Sequence, residues 1–575
     1  MSTEDISTAS TPAGPDSLRR LAQAASALRN DALVRRIHLG IQALRDDDPK
    51  TAFDVAKEVL EADEDLLLAW RLLAISAERT GDFTVAFFGN EQVIQRDPDT
   101  PGILNDLGRI AYHLKQFTQA EQFFLLHLRA NPGEVDGVNN LACAIRDQNR
   151  LDQAAMVLKA ALQENPQSAL LWNTLATVMV AKGDSDNAMI FFDEAIRLDP
   201  TFSKAVYNRA NQKSLLGDYE GALVDGEEAL RLTGVPTDRA MMRMAVGLSK
   251  FTLGRIEEGL EDYQARLDPE FDESTRFPFP MPRWEGAEPV AGKGILVVGE
   301  QGLGDEVAFA SLVPDIIEAV GPEGRVFLAV EPRLIPLMQR SFPTTTVGAY
   351  ITGKQGHATV RVAPFAEPLY DQIDYWTTMA LPMKRFRLRI EDFPARRAFL
   401  VPDPQRVAHW RAELAKLDDR PKVGVVWKSL VIDPARSRQF TAFETWGRVI
   451  SLPGVTMVNL QYGDCTAELA EAERLGLRLW TPPDIDLKND LDDLAALCVA
   501  LDLVIGPANA TSNIAAACGG EVDLVALPGA WIQFGTEGWP IYPQLRVIQG
   551  RFGDWSGAME GLRRDISERF GLSPD

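Results

Sequence analysis

The sequence predicts two structures in series: an all-helical array of repeated helix pairs, then an α/β region of parallel, doubly wound sheets. Three observations carry this. Prolines and alanines recur every 34 residues through the first half. From Ile295 the pattern changes to short β-rich runs alternating with helices, the signature of parallel sheets. At that change stands Gly299-Glu300-Gln301-Gly302-Leu303-Gly304-Asp305-Glu306, a glycine-rich turn between the apolar run Ile295–Val298 and a helix start. Such a turn lets a polar ligand approach backbone amides.

Taken in order, residues 1–16 are rich in Ser, Thr, Pro and Asp and are expected to be disordered. They lack the apolar core of a signal peptide. In the array, Pro98, Pro132, Pro166 and Pro200 keep a 34-residue step, as do Ala52, Ala86, Ala120, Ala154, Ala188 and Ala222. Ala allows two antiparallel helices to approach closely, and Pro ends each pair because it cannot continue a helix. This period and pattern are the tetratricopeptide signature. Trp70 and Trp172 take the wedging position, and Gly81, Gly183 and Gly217 mark the turn inside a pair. Six repeats run from about 33 to 236 and a looser seventh to about 268, with a helix near 17–31 capping the open end; the superhelix as a whole spans 17–270. Such arrays bind peptides or protein segments. Asn139, Asn140, Asn173 and Asn208 are the candidates to hydrogen-bond an acceptor main chain.

A proline-rich linker (271–292) leads to a first lobe at 293–395 and a second at 396–575. Strands are predicted at 295–298, 325–330 and 358–362, then at 423–427, 455–460, 502–505 and 522–526; helices fall near 404–417, 441–451, 466–475, 491–500 and 512–518. Two such lobes create a cleft at the strand C-termini.

The net charge of −23 argues against a broad nucleic-acid or anionic-membrane surface, because phosphate binding needs clustered cations. No run of 18 apolar residues occurs, so no membrane insertion is expected. The four cysteines are scattered without a C-x-x-C pair, which indicates neither zinc nor disulfides and fits a reducing cytoplasm. His357 and His409 are the histidines of the second half, and neither is expected in the cleft.

GEQGLGDEVAFA, VGVVWKS, VNLQYGD, the DLDDLAALCVALDLVIGPANATSNIAAACGG block and WPIYPQLRVIQ together resemble the GT-B glycosyltransferase domain of bacterial tetratricopeptide-fused transferases. That domain is similar, distantly, to heptosyltransferases and O-GlcNAc transferase. The resemblance covers about 283–555 and is nearest to soluble flagellin glycosyltransferases. It implies a metal-independent enzyme of two Rossmann-like lobes, with no cofactor beyond its nucleotide-sugar substrate. The sugar implied is a nonulosonic acid such as pseudaminic acid, moved from a CMP donor to Ser or Thr of flagellin. A UDP-sugar transferase of the O-GlcNAc type is one alternative. The other is a binding module or flagellin/secretion chaperone with a degenerate enzyme lobe.

Inverting transfer needs a base for the acceptor hydroxyl and stabilisation of a departing phosphate. The resemblance implies Asp305 as that base, with Glu306 beside it; Asp305 could instead cap the following helix. Gly302 and Gly304 are expected to shape the turn. Donor contacts are expected from Lys428, Ser429, Arg436, Arg438 and Gln461, Lys and Arg being the phosphate partners. Asn509, Thr511, Ser512 and Asn513 stand at a helix start that favours an anion. Relatives carry Asp-Thr and a downstream His there, which puts a UDP or ADP donor in doubt. The alternative is a capped helix packed on the sheet. No metal site is expected, Asp484-Ile485-Asp486 reading as a surface loop.

Overall fold

The computed structural model describes residues 15–27, 32–271, 274–355, 358–430, 440–551 and 553–572; the first fourteen residues, with the disorder expected there, and Arg436 and Arg438 lie outside them. The chain divides into two compact units, one chiefly residues 5–212 and the other 213–353 with 358–575.

In the first unit a helix, Pro15–Ala27, precedes the pairs Ala32–Arg45 with Pro49–Ala62, Leu67–Arg79 with Phe83–Arg96 and Ile103–His113 with Phe117–Ala130. Val135–Asp147 with Leu151–Glu164 and Ala169–Lys182 with Ser185–Leu198 follow. The recurring alanines Ala52, Ala86, Ala120, Ala154 and Ala188 are fully buried, as the close approach of paired helices demands. The Trp70 and Trp172 indoles each donate to a carbonyl six residues upstream, of Glu64 (2.7 Å) and Pro166 (2.9 Å), pinning the connector between repeats.

The turn inside each pair requires a left-handed residue at one register: Asp47, Gly81, Lys115, Asn149, Gly183 and Gly217 all have positive φ. The next residue caps the second helix where it is Asp: Asp48, Asp82 and Asp184 each accept from the amide three residues on. Gln116 and Arg150 hold that place without a side-chain cap. Lys115→Gly with Gln116→Asp therefore should stabilise the array, by about 1 kcal/mol from relieved left-handed strain and about 1 kcal/mol from the new cap. Urea unfolding of the variant against the parent checks this; an unchanged midpoint refutes it.

The second unit begins with the helices Tyr219–Leu232, Pro236–Thr252 and Ile256–Tyr263 and the short turn Gln264–Leu267. Phe251 and Tyr263 pack their rings on Trp531 and Phe534, and Thr252 Oγ1 donates to the Gly529 carbonyl (3.2 Å). The last helix pair thus packs directly on the sheet region.

The first sheet has four parallel strands in the spatial order Thr346–Ala349, Arg325–Val330, Gly294–Val298, Tyr375–Thr378. The expected strand at Ala358–Val362 exists but pairs with Thr275–Arg276 in a separate small sheet. Tyr375–Thr378, too short and polar to read as a buried strand, completes the main sheet instead. The second sheet has six parallel strands, Leu479–Trp480, Thr456–Asn459, Lys422–Val425, Leu503–Gly506, Val522–Ala526 and Leu545–Gln549. Counted in chain order this is 3-2-1-4-5-6, a doubly wound arrangement with its reversal between Lys422–Val425 and Leu503–Gly506.

Candidate functional site

In each sheet the chain reverses direction of winding beside its first strand, and the crevice beyond the strand ends at that point is where open α/β sheets take ligands. In the first sheet the loops there are Gly299–Gly302 and the one entered at Met379. Glu300 spans them: its Oε1 accepts from the Ala380 amide (3.1 Å) and from Arg266 Nη2 (3.0 Å). Both side chains of that ion pair are almost fully buried, at 4% and 2% exposure. Arg266 stacks on the Tyr263 ring (4.2 Å), and the Tyr263 hydroxyl accepts from Gln301 Nε2 (2.6 Å). Arg361 donates to the Gly299 and Gln301 carbonyls. The glycine loop is therefore clamped from three sides. Sequence reading missed Arg266 and Arg361, because no local spacing links either one to the loop.

Gly302 is the N-cap of the helix Leu303–Phe309 with an ordinary φ of −73°; the turn does not require glycine there. Gly304 stands at a close approach. A Cβ on it would stand 3.2 Å from Asn513 Nδ2 and 3.7 Å from the Ala510 amide nitrogen. The glycine-loop helix thus meets the start of Ala510–Ala517, and Gly304 permits that approach.

Asp305 is the third residue of its helix and half-buried. It does not cap the helix, and among the described residues no side chain pairs with its carboxylate. Its charge lies close to two phenols: burial pushes the Tyr263 and Tyr542 hydroxyls up, and Asp305 adds to both shifts. Glu306 points the other way. It is buried, accepting from the Glu331 amide (2.7 Å) and the Tyr350 hydroxyl (3.1 Å). Its oxygens tie the helix to the neighbouring strand ends, so it is correctly described as a strut and not as a second open base.

Burial raises the Glu306 carboxyl from 4.5 to about 7, against the pull of its amide partner. Folding then takes up a proton between those values, so this group's contribution is full below pH 4.5 and is lost as pH rises through 7. Glu306→Gln should flatten the difference in stability between the two pH values by about 3 kcal/mol at most. Denaturant unfolding at pH 4.5 and 7.5 measures it; parallel pH profiles for variant and parent exclude it.

In the second sheet several expected donor contacts have other employment. Lys428 Nζ is paired with Glu468, so its charge is already neutralised. Gln461 is buried; its Oε1 accepts from the Trp427 and Lys428 amides (3.0 and 2.9 Å), and its Nε2 donates to the Lys428 and Tyr462 carbonyls. It clamps two strand ends together and has no group left for a base or ribose. Ser429 remains half-buried at the same strand end.

Asn509 and Ser512 form a reciprocal capping box (3.1 and 3.0 Å). Asn513 donates to the Asn509 carbonyl (2.8 Å) and accepts from the Tyr542 hydroxyl (2.9 Å). The helix is thus capped and packed as the alternative reading supposed, with one exception. Asn509 Nδ2 and Thr511 Oγ1 are buried without a partner among the described residues. An unsatisfied buried polar atom is costly, and two at a helix N-terminus are the open valences of this site.

The array asparagines are buried, and only Asn173 Nδ2 among their side-chain atoms is without a partner among the described residues. Asn139, Asn140, Asn173 and Asn208 are 1% exposed or less. They join successive repeats: Asn140 donates to Asn105 (3.2 Å), Thr174 to Asn139 (2.5 Å) and Asn208 to Asn173 (3.2 Å). They are struts between repeats. A cavity of about 440 Å³ lies elsewhere, between the proline-rich linker and Lys384, lined by Arg283, Glu285 and Glu288; it holds none of the predicted site residues.

Residues 91–135 and 146–211 match tetratricopeptide repeat families. Over 549 residues the chain is 45% identical to Protein FlbA of Caulobacter vibrioides, covering 95% of this chain and 92% of that protein. Solved structures that it resembles include the type IV pilus biogenesis factor PilW, at 18% identity, TM-score 0.31, over 35% of this chain and 94% of that one. A tetratricopeptide repeat protein from Parabacteroides merdae is similar at 16% identity, TM-score 0.34, over 39% and 90%.

Proposed function

We propose, for a chain that belongs to the family of Protein FlbA, that it is a protein O-glycosyltransferase whose repeat array recruits the acceptor. On this reading the sheet region is a metal-independent GT-B transferase. It moves a nonulosonic acid such as pseudaminic acid from a CMP donor to Ser or Thr of flagellin.

One observation supports it most. At the reversal points of two parallel sheets, Asp305, a carboxylate unpaired among the described residues, stands near a helix start carrying two buried polar atoms that also lack partners among them, Asn509 Nδ2 and Thr511 Oγ1. Asp305 would take the proton of the acceptor hydroxyl as its oxygen attacks the anomeric carbon. The amides and macrodipole of Ala510–Ala517, with Thr511 and Asn509, would hold the departing phosphate. Because Gly304 and Asn513 are in close approach, donor entry requires the lobes to part, a hinge motion of the usual kind.

The saturation of Lys428, Gln461 and Ser512 by protein partners favours a second reading, a binding module or flagellin/secretion chaperone with a degenerate enzyme lobe. Titrating the full chain with CMP-, UDP-, GDP- and ADP-linked nucleotides separates the two. Saturable CMP binding, weakened by Thr511→Val, is the expected result. UDP binding keeps a transferase but replaces the donor. No binding by a folded chain removes the transferase reading and leaves the binding module.

A further inference from the structure

The helix Pro15–Ala27 does not behave as an end cap, which would pack on the first repeat alone. It lies against Ala32–Arg45 and Leu67–Arg79 and reaches a third pair. Ser17 Oγ donates to Asp106 Oδ1 (2.9 Å), 89 residues away, and a Cβ on Gly102 would stand 2.3 Å from Arg20 Nη1. It therefore crosses the first helices of three successive pairs, a surface continuous over several repeats of the kind such arrays use for binding. Ser17, Leu21 and Ala25, at helical spacing, are buried there, flanked by Leu18 and Ala22.

Beneath it is a buried charged cluster. Arg109 takes both oxygens of Glu78 and also Asp106 Oδ1 (3.2 Å), and Arg71 approaches Asp106 Oδ2 (3.4 Å). All four side chains are buried. The docked helix brings a third guanidinium to the same corner: Arg20 stands against Gly102, and Arg71 donates to the neighbouring Pro101 carbonyl (3.4 Å). The Nε atoms of Arg20 and Arg71 are both buried without a partner among the described residues. A 13-residue helix has little stability of its own, and this one is held by a narrow apolar stripe and the Ser17–Asp106 hydrogen bond.

We propose that the first helices of the first three pairs form a docking groove for an amphipathic helical segment of a partner protein. Pro15–Ala27 is its resident occupant, a self-ligand that the partner displaces. A preferred partner carries small apolar residues at helical spacing, a hydroxyl towards Asp106, and an acidic residue where Arg20 stands, to accept from the Arg71 Nε that has no partner among the described residues. The inference rests on the array's binding of a protein segment and on nothing in the sheet region.

The test uses the full chain and a fluorescent peptide of residues 15–27 carrying Arg20→Glu. The chain with Leu21→Asp, whose own helix is undocked, should bind the peptide about tenfold or more tightly than the wild-type chain, since self-occupancy taxes the apparent affinity by the fraction of open groove. Binding of the unaltered peptide should be weaker than that of the Arg20→Glu peptide. In the wild-type chain, saturating peptide should raise amide hydrogen exchange in Pro15–Ala27 and not in Ala32–Arg45, a measurement that does not depend on the Leu21→Asp chain folding. Equal binding to both chains, no binding to either, or unchanged exchange in Pro15–Ala27 overturns the proposal. No arm involves a nucleotide or sugar, so these failures leave the transferase reading where it stood.

Discussion

Replacing Asp305 with alanine should lower the proposed sugar transfer by roughly 10²–10⁴-fold, the usual contribution of a positioned base, and should leave fold and acceptor binding intact. The reason for the split lies in its position. Gly302, not Asp305, is the N-cap of Leu303–Phe309, so the substitution removes no cap. Its carboxylate is half-buried and ties down no neighbour among the described residues. A surface-like substitution of that kind changes stability by about 0.5 kcal/mol or less. Glu306→Gln is the matched control, since that side chain holds the Glu331 amide and the Tyr350 hydroxyl and its loss should show in the pH dependence of stability. Mass spectrometry of flagellin incubated with chain and donor, beside a melting curve, reads both effects. An Asp305→Ala chain that still modifies its acceptor at the parental rate would remove Asp305 from the chemistry.

The array was legible because each repeat solves the same packing problem with the same residue types. Even the departures are informative: Lys115 and Gln116 stand in the register of Gly81 and Asp82, and the structure gives Lys115 the strained φ that glycine has elsewhere. The sheets were legible in their apolar strands and not in their polar edges, which is why Tyr375–Thr378 and Thr346–Ala349 went unseen. Site residues were harder for a different reason. Sequence shows which side chains can bind an anion but not which already have a partner. Lys428 and Gln461 have the right chemistry at the right strand ends, and Glu468 and two backbone amides already occupy them. The asparagines of the array are the same case. Their place in the repeats was visible, but a step of 35 residues carries each of them to a partner in the adjoining repeat and leaves it buried.

The larger stability effect should come from Arg266, which sequence reading passed over. Arg266→Ala should cost about 3–5 kcal/mol, the price of leaving one partner of a buried ion pair alone. Glu300 would keep the Ala380 amide on Oε1, but its Oε2 already has no partner among the described residues, so the stranded charge would have a single hydrogen bond there. Arg266 also donates to the Tyr263 carbonyl (2.9 Å) and lies on that ring, so the last helix pair and the glycine loop would loosen together. Arg266→Met with Glu300→Gln should recover most of the loss, because the neutral amide keeps an acceptor for Ala380 while the buried charge is gone. Glu300→Gln alone should fall between, leaving a buried guanidinium that still has the Tyr263 carbonyl and ring. Denaturant unfolding of the three variants gives the order. A cost below about 1 kcal/mol for Arg266→Ala would mean that the pair is hydrated in solution, as exposed pairs are, and that the glycine loop is held by Arg361 and Gln301 instead.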